Sequence, residues 1–155
     1  MRKYIFLACG GFAGAILRYS IEQVQIPGYH ENIPINTLFI NITGTFLMAF
    51  ILTIAFEVWE IHADIRLGIT TGFLGAYTTF STFCKESVNL MKDGDYFSAI
   101  SYITISTILG LGVAYFGTLL ARKIGSLKVH DKEGPDDLNP SDTERLIENE
   151  SDVIE

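Results

Sequence analysis

The chain has 155 residues, a mean hydropathy of +0.30, 48% hydrophobic residues and only 19% charged ones, so much of its surface is expected to face lipid. Its formal charge of −7 is lopsided: residues 131–155 hold ten Asp and Glu against Lys132 and Arg145, while residues 1–130 hold eight acids and nine Lys or Arg. With no basic stripe and too little length for two domains, a nucleic-acid binder and a two-domain enzyme are both excluded.

In chain order, four apolar runs are each long enough to cross a bilayer: 4–24, 35–56, 65–91 and 96–121. Pro27 and Gly28 punctuate the first connection, residues 57–64 form a short polar link, and Lys92-Asp93-Gly94-Asp95 reads as a tight turn. Neighbouring spans are therefore antiparallel, and the fold class is an all-α membrane protein of four helices occupying residues 1–125. Residues 126–155 read as an acidic soluble tail, with Ser141 to Ile154 able to hold a short capped helix.

The first run follows Met1-Arg2-Lys3, as a signal peptide does, and Leu7-Ala8-Cys9 loosely resembles a lipoprotein cleavage site. Only five apolar residues precede Cys9, however, and hydrophobicity continues to Arg18, so the segment is read as a span. Gly10 and Gly14 are four apart, as are Gly68 and Gly72 in the third run, a spacing that lets helix backbones approach closely. Gly11, Gly14 and Arg18 share a face. A guanidinium inside a span costs about 2.5–3.5 kcal/mol on insertion scales, so Arg18 must snorkel, pair or face a wet cavity.

In the second run Thr37, Asn41 and Thr45 recur every four residues and form one polar stripe. Asn41-Ile42-Thr43 matches a glycosylation sequon, but its mid-span position puts it out of a glycosyltransferase's reach. The fourth run repeats the stripe with Tyr102 and Ser106, Gly110 continuing the line, so the two stripes are expected to face one another. The third run carries Gly68, Gly72 and Gly75 before Ala76-Tyr77-Thr78-Thr79, where glycine and a β-branched pair weaken helix propensity midway through the membrane. A break is expected there, and its freed carbonyls are ready ligands for a desolvated monovalent cation. Phe80 and Phe83 follow on one face with Ser81 and Thr82 between them, and then Lys85 and Glu86, where pairing or interfacial placement accounts for the acid.

Cys9 and Cys84 have no second Cys or His at ligand spacing, and His30, His62 and His130 fall in separate polar segments. No nucleophile, base and oxyanion donor assemble at a recognisable spacing, so the chain is not read as an enzyme.

Three motifs, Gly11-Phe12-Ala13-Gly14-Ala15-Ile16-Leu17-Arg18-Tyr19, Asn36 to Gly44, and Gly72 to Phe83, occur in the order and spacing of the Fluc (CrcB) bacterial fluoride channels, which the chain resembles over about residues 3–123. It departs from the family's pattern at Ala76, where a second Gly is usual, at Gly110, where a hydroxyl residue can stand, and in its acidic tail. The resemblance implies an antiparallel, dual-topology dimer with two fluoride pathways and one central structural Na+. It implies Na+ ligands in the backbone carbonyls of Gly75 and Thr78, and pores lined by Phe80 and Phe83. It makes Asn41 the anion's amide donor, Tyr102 and Ser106 the polar track, and Arg18 a vestibule or helix-positioning charge, with Thr37, Ser81, Thr82 and Glu86 as weaker candidates.

The ion's chemistry agrees: fluoride is small and strongly hydrated, so a pore must replace its water with amide, hydroxyl and ring-edge donors and must avoid carboxylates. The competing class is a small proton-coupled multidrug or metabolite exporter, which would want a titratable carboxylate in mid-membrane. Orientation is read from charge. The side holding both termini carries Arg2, Lys3, Arg66, Arg122, Lys123, Lys128 and Lys132, against Lys92 and Lys85 on the other. That bias predicts a fixed topology in the bacterial plasma membrane with both termini cytoplasmic, and a homologous second subunit of opposite bias as the partner. An antiparallel homodimer is the alternative.

Overall fold

The computed structural model describes residues 1–25, 33–58 and 61–130. The turn signals at Pro27 and Gly28, His30, and the tail from residue 131 with its expected helix lie outside the described residues. The chain divides into two units, Met1–Arg122 and Lys123–Glu155, and everything concerning the site belongs to the first.

Among the described residues all regular structure is helical. Helix α1 is Arg2–Glu22 and α2 is Ile35–Thr53, the latter continued by a π-helical turn, Ile54–Val58. The third run is assembled from α3 (Ala63–Leu67), a π-helical segment Gly68–Leu74, α4 (Gly75–Tyr77), and, after an interruption at Thr78 and Thr79, α5 (Phe80–Lys92). Helix α6 is Tyr96–His130. Among the described residues three stretches, Arg2–Glu22, Ile35–Val58 and Tyr96–Leu127, are long and apolar enough to cross a bilayer unaided. The third run is helical in two pieces, the second being 13 residues or about 20 Å long, so it spans only as a broken helix.

The chain is apolar on the outside: Phe12, Phe97, Leu111 and Tyr115 are among its most exposed side chains, an arrangement that suits hydrocarbon and not water. Inside, small residues set the packing. A Cβ on Gly10 would strike the Gly68 carbonyl, one on Gly14 would strike the Phe73 carbonyl, and one on Gly72 would come within 2.7 Å of the Leu7 carbonyl. The two glycine pairs read from the sequence therefore fit α1 against the π-helical segment backbone to backbone. Asn36 secures the end of α1, its Nδ2 donating to the carbonyls of Val24 (2.8 Å) and Glu22 (3.3 Å).

Two apolar clusters hold the remaining helices. Ile40 of α2 packs with Leu74 and Tyr77, and Leu90 of α5 packs with Ala99 and Tyr102 of α6. The α5–α6 turn closes at Gly94, whose φ of +80° lies in the region a side chain disfavours. At the other end, Arg122 and Glu57 form a two-pronged ion pair (2.7 and 2.8 Å) joining α6 to the turn after α2, and the Arg66 guanidinium lies 4.1 Å from the Phe56 ring centre.

Candidate ion pathway

The interruption expected after Gly75 falls at Thr78 (φ −75°, ψ 155°) and Thr79 (φ −144°, ψ 113°), both extended. Both N–H groups there, and the Thr79 carbonyl, have partners. Thr78 ends α4 by donating both its N–H (3.0 Å) and its hydroxyl (2.9 Å) to the Leu74 carbonyl. Thr79 starts α5: its Oγ1 accepts from the Thr82 N–H (3.2 Å) and donates to the Thr82 hydroxyl (2.8 Å). From α2, Asn41 reaches across, accepting the Thr79 N–H on Oδ1 (2.8 Å) and donating Nδ2 to the Thr79 carbonyl (3.0 Å). Gly44 lets α2 come this close, since a Cβ on it would collide with the Thr78 methyl.

The fit of a monovalent cation to this break rests on its carbonyls. A continuous helix would give the Thr79 N–H to the Gly75 carbonyl four residues back, and here Asn41 takes it instead. Gly75 is exposed, and a Cβ there would make only an ordinary contact with the Thr70 carbonyl at 3.8 Å. Neutral carbonyl oxygens are the donors that replace the hydration shell of Na+ or K+, so Gly75 and Thr78 fit such an ion.

Beside the break lies a groove of about 490 Å³, lined by Asn41, Gly44, Thr45, Thr78, Thr79, Phe80, Phe83 and Ser106 among others, none of them acidic. Phe80 is 77% exposed, with its ring centre 6.0 Å from that of Phe83, which in turn sits 5.1 Å from Tyr102. The Ser106 hydroxyl is buried and, among the described residues, makes no hydrogen bond. One Asn41 N–H is taken by the Thr79 carbonyl; an amide carries two.

The stripes of α2 and α6 meet through Glu86, which the resemblance gives only as a weaker candidate and which the residues alone read as paired or interfacial. Glu86 accepts from the Thr37 hydroxyl on Oε1 (2.8 Å) and from the Tyr102 hydroxyl on Oε2 (2.9 Å), with both donors fully interior. It does not sit out as an interfacial partner of Lys85, because adjacent residues on a helix point to different sides. A signal was present: Glu86 follows Phe83 by three and Thr82 by four, which puts it on their face. Glu86 also borders a second, polar cavity of about 320 Å³ with Asn89, Asp93 and Asp95. Ser81 and Thr82 lie in the first turn of α5, the Thr82 hydroxyl joined to Thr79 and the Ser81 hydroxyl 3.4 Å from it. Arg18 is not brought to the groove and pairs with Glu22 on its own helix at 3.8 Å.

An all-α membrane protein whose third span is broken, capped and clipped from the neighbouring helix defines a narrow class of fold. The chain belongs to the family described as CrcB-like protein, Camphor Resistance (CrcB), which it matches over residues 5–118. Among its relatives are proteins named fluoride-specific ion channel FluC. That of Dehalococcoides mccartyi is 36% identical over 130 residues, covering 81% of this chain and 100% of the relative. That of Hydrogenobaculum sp. is 39% identical over 118 residues (76% and 96%), and that of Thermosipho melanesiensis 38% over 121 residues (77% and 96%).

Proposed function

We propose that this chain is a subunit of a fluoride-selective ion channel that lowers cytoplasmic fluoride by passive efflux. The observation that carries the reading is the acid-free groove lined by Phe80, Phe83, Asn41 and Ser106, the last with an unsatisfied hydroxyl. Each presents positive partial charge to a small anion, and none binds it tightly enough to trap it. Passive flow suffices, because HF enters an acid-exposed cell as a neutral species and dissociates inside, and the inside-negative potential expels the F−. The channel reading predicts a clean flux result. Purified protein in liposomes releases fluoride and not chloride when a potassium ionophore clears the counter-charge. Equal chloride release, or efflux of organic cations driven by a pH gradient, would refute it in favour of an exporter.

In this reading the Gly75 and Thr78 carbonyls hold a structural Na+, and the open groove is completed by a second chain inserted in the opposite orientation, both in the bacterial plasma membrane. A homologous subunit with the opposite charge bias supplies that chain, because seven Lys or Arg flank the span ends on the side of the termini and two lie on the other. Labelling single cysteines in intact cells tests the orientation, in a background where Cys9 and Cys84 are replaced by Ser. The Asp93→Cys protein reacts with an impermeant maleimide and the Ala63→Cys protein does not. Comparable labelling of both, together with fluoride flux from the purified single chain, would establish a homodimer instead.

A further inference from the structure

Among the described residues Asn41 is the one side chain of α2 seen to hydrogen-bond the broken backbone of the third span, and it satisfies both polar groups of Thr79 at once. Thr79 is extended, a conformation in which the N–H and C=O of one residue point to the same side, as they do toward a neighbouring strand. The Asn41 carboxamide imitates that strand. Thr79 is only 4% exposed, so without Asn41 two peptide groups would be stranded away from water. The nearest remedy is for the Thr79 N–H to return to the Gly75 carbonyl, which closes the break and withdraws that oxygen.

We infer that Asn41 is a positioning residue for the cation: by taking the Thr79 N–H it keeps the Gly75 carbonyl free, and so couples α2 to the cation site. This rests on the reading of Gly75 and Thr78 as Na+ ligands and goes beyond Asn41's part in the anion path. The chemistry is specific to an amide of this length. Aspartate accepts the N–H but opposes the Thr79 carbonyl with its second oxygen, and alanine offers neither bond.

The test is the thermal unfolding midpoint of purified protein against Na+ concentration, with N-methylglucamine holding ionic strength constant. The unmodified protein is stabilised by Na+. Asn41→Asp and Asn41→Ala need at least about tenfold more Na+ for half the effect, a coupling of about 1.4 kcal/mol. Ser106→Ala lowers fluoride flux and leaves the Na+ midpoint unchanged. Asn41 variants that lose flux with an unchanged Na+ midpoint would overturn the proposal and leave Asn41 to the anion alone. An unmodified protein indifferent to Na+ would remove the cation reading itself, and this proposal with it. Should neither Asn41 variant assemble, the unmodified protein decides. Its Asn41 side-chain amide resonances move when Na+ replaces N-methylglucamine, and resonances that stay fixed would refute the coupling.

Discussion

Phe80→Ile abolishes fluoride flux, by at least about 100-fold or some 2.7 kcal/mol of lost ion stabilisation, while the protein still folds and assembles. Phe80 is 77% exposed within the chain, so the substitution removes almost no packing from the subunit's own core. Isoleucine keeps apolar bulk at the groove and loses the ring, and with it the weakly positive edge on which the proposed anion path depends. Phe83, tilted against it at 6.0 Å and braced by Tyr102, cannot substitute, because its ring is fixed from behind. Flux from liposomes and the elution volume of the protein in size-exclusion chromatography are read together. A loss of flux that tracked a loss of assembled protein would mean that Phe80 only packs.

The second large effect is on folding. Gly14→Val removes most folded protein, at a cost of about 3 kcal/mol or more, the upper range for forced overpacking. The new Cβ strikes the Phe73 carbonyl and lies within 3.1 Å of the Tyr77 N–H, and these are backbone atoms that cannot swing aside. Gly112→Ala is the matched control, since nothing lies within 4 Å of a Cβ there, and replacing a mid-helix glycine gains rather than loses helix stability. Yield of monodisperse protein and its unfolding temperature distinguish the two. A tolerated Gly14→Val would show that α1 and the π-helical segment are not held backbone to backbone.

The contrast between those glycines marks how far sequence reasoning reached. Hydropathy located the four runs, because the length of a bilayer-crossing helix is a physical constant that composition reports directly. The spacing of Gly10, Gly14, Gly68 and Gly72 announced close approach, and the pairs meet one another. The break after Gly75 was legible from weak local propensity. What stayed hidden depends on contacts between helices. Glu86 looked like the partner of its neighbour Lys85, and only the packing of α2, α5 and α6 brings it to Thr37 and Tyr102. Asn41 read as a bare donor on a polar stripe, and its hold on Thr79 is a long-range bond that periodicity does not encode. Arg18 shares a face with Gly14 in sequence, yet it turns along its own helix to Glu22.

The π-helical segment Gly68–Leu74 leaves the third span little room for a further inserted residue. A π-helical turn is an α-helix carrying surplus residue count, and it sets the azimuth of everything downstream. Each residue of an α-helix advances about 100°, so one more residue that the segment could not absorb would turn Thr78, Thr79 and Phe80 by roughly a quarter of a circle away from the groove. The glycines of α1 clasp the segment on both sides of this surplus and fix where it is absorbed. Chain length between Gly68 and Thr78 is thus a quantity under constraint in its own right, separate from the identity of any side chain along it.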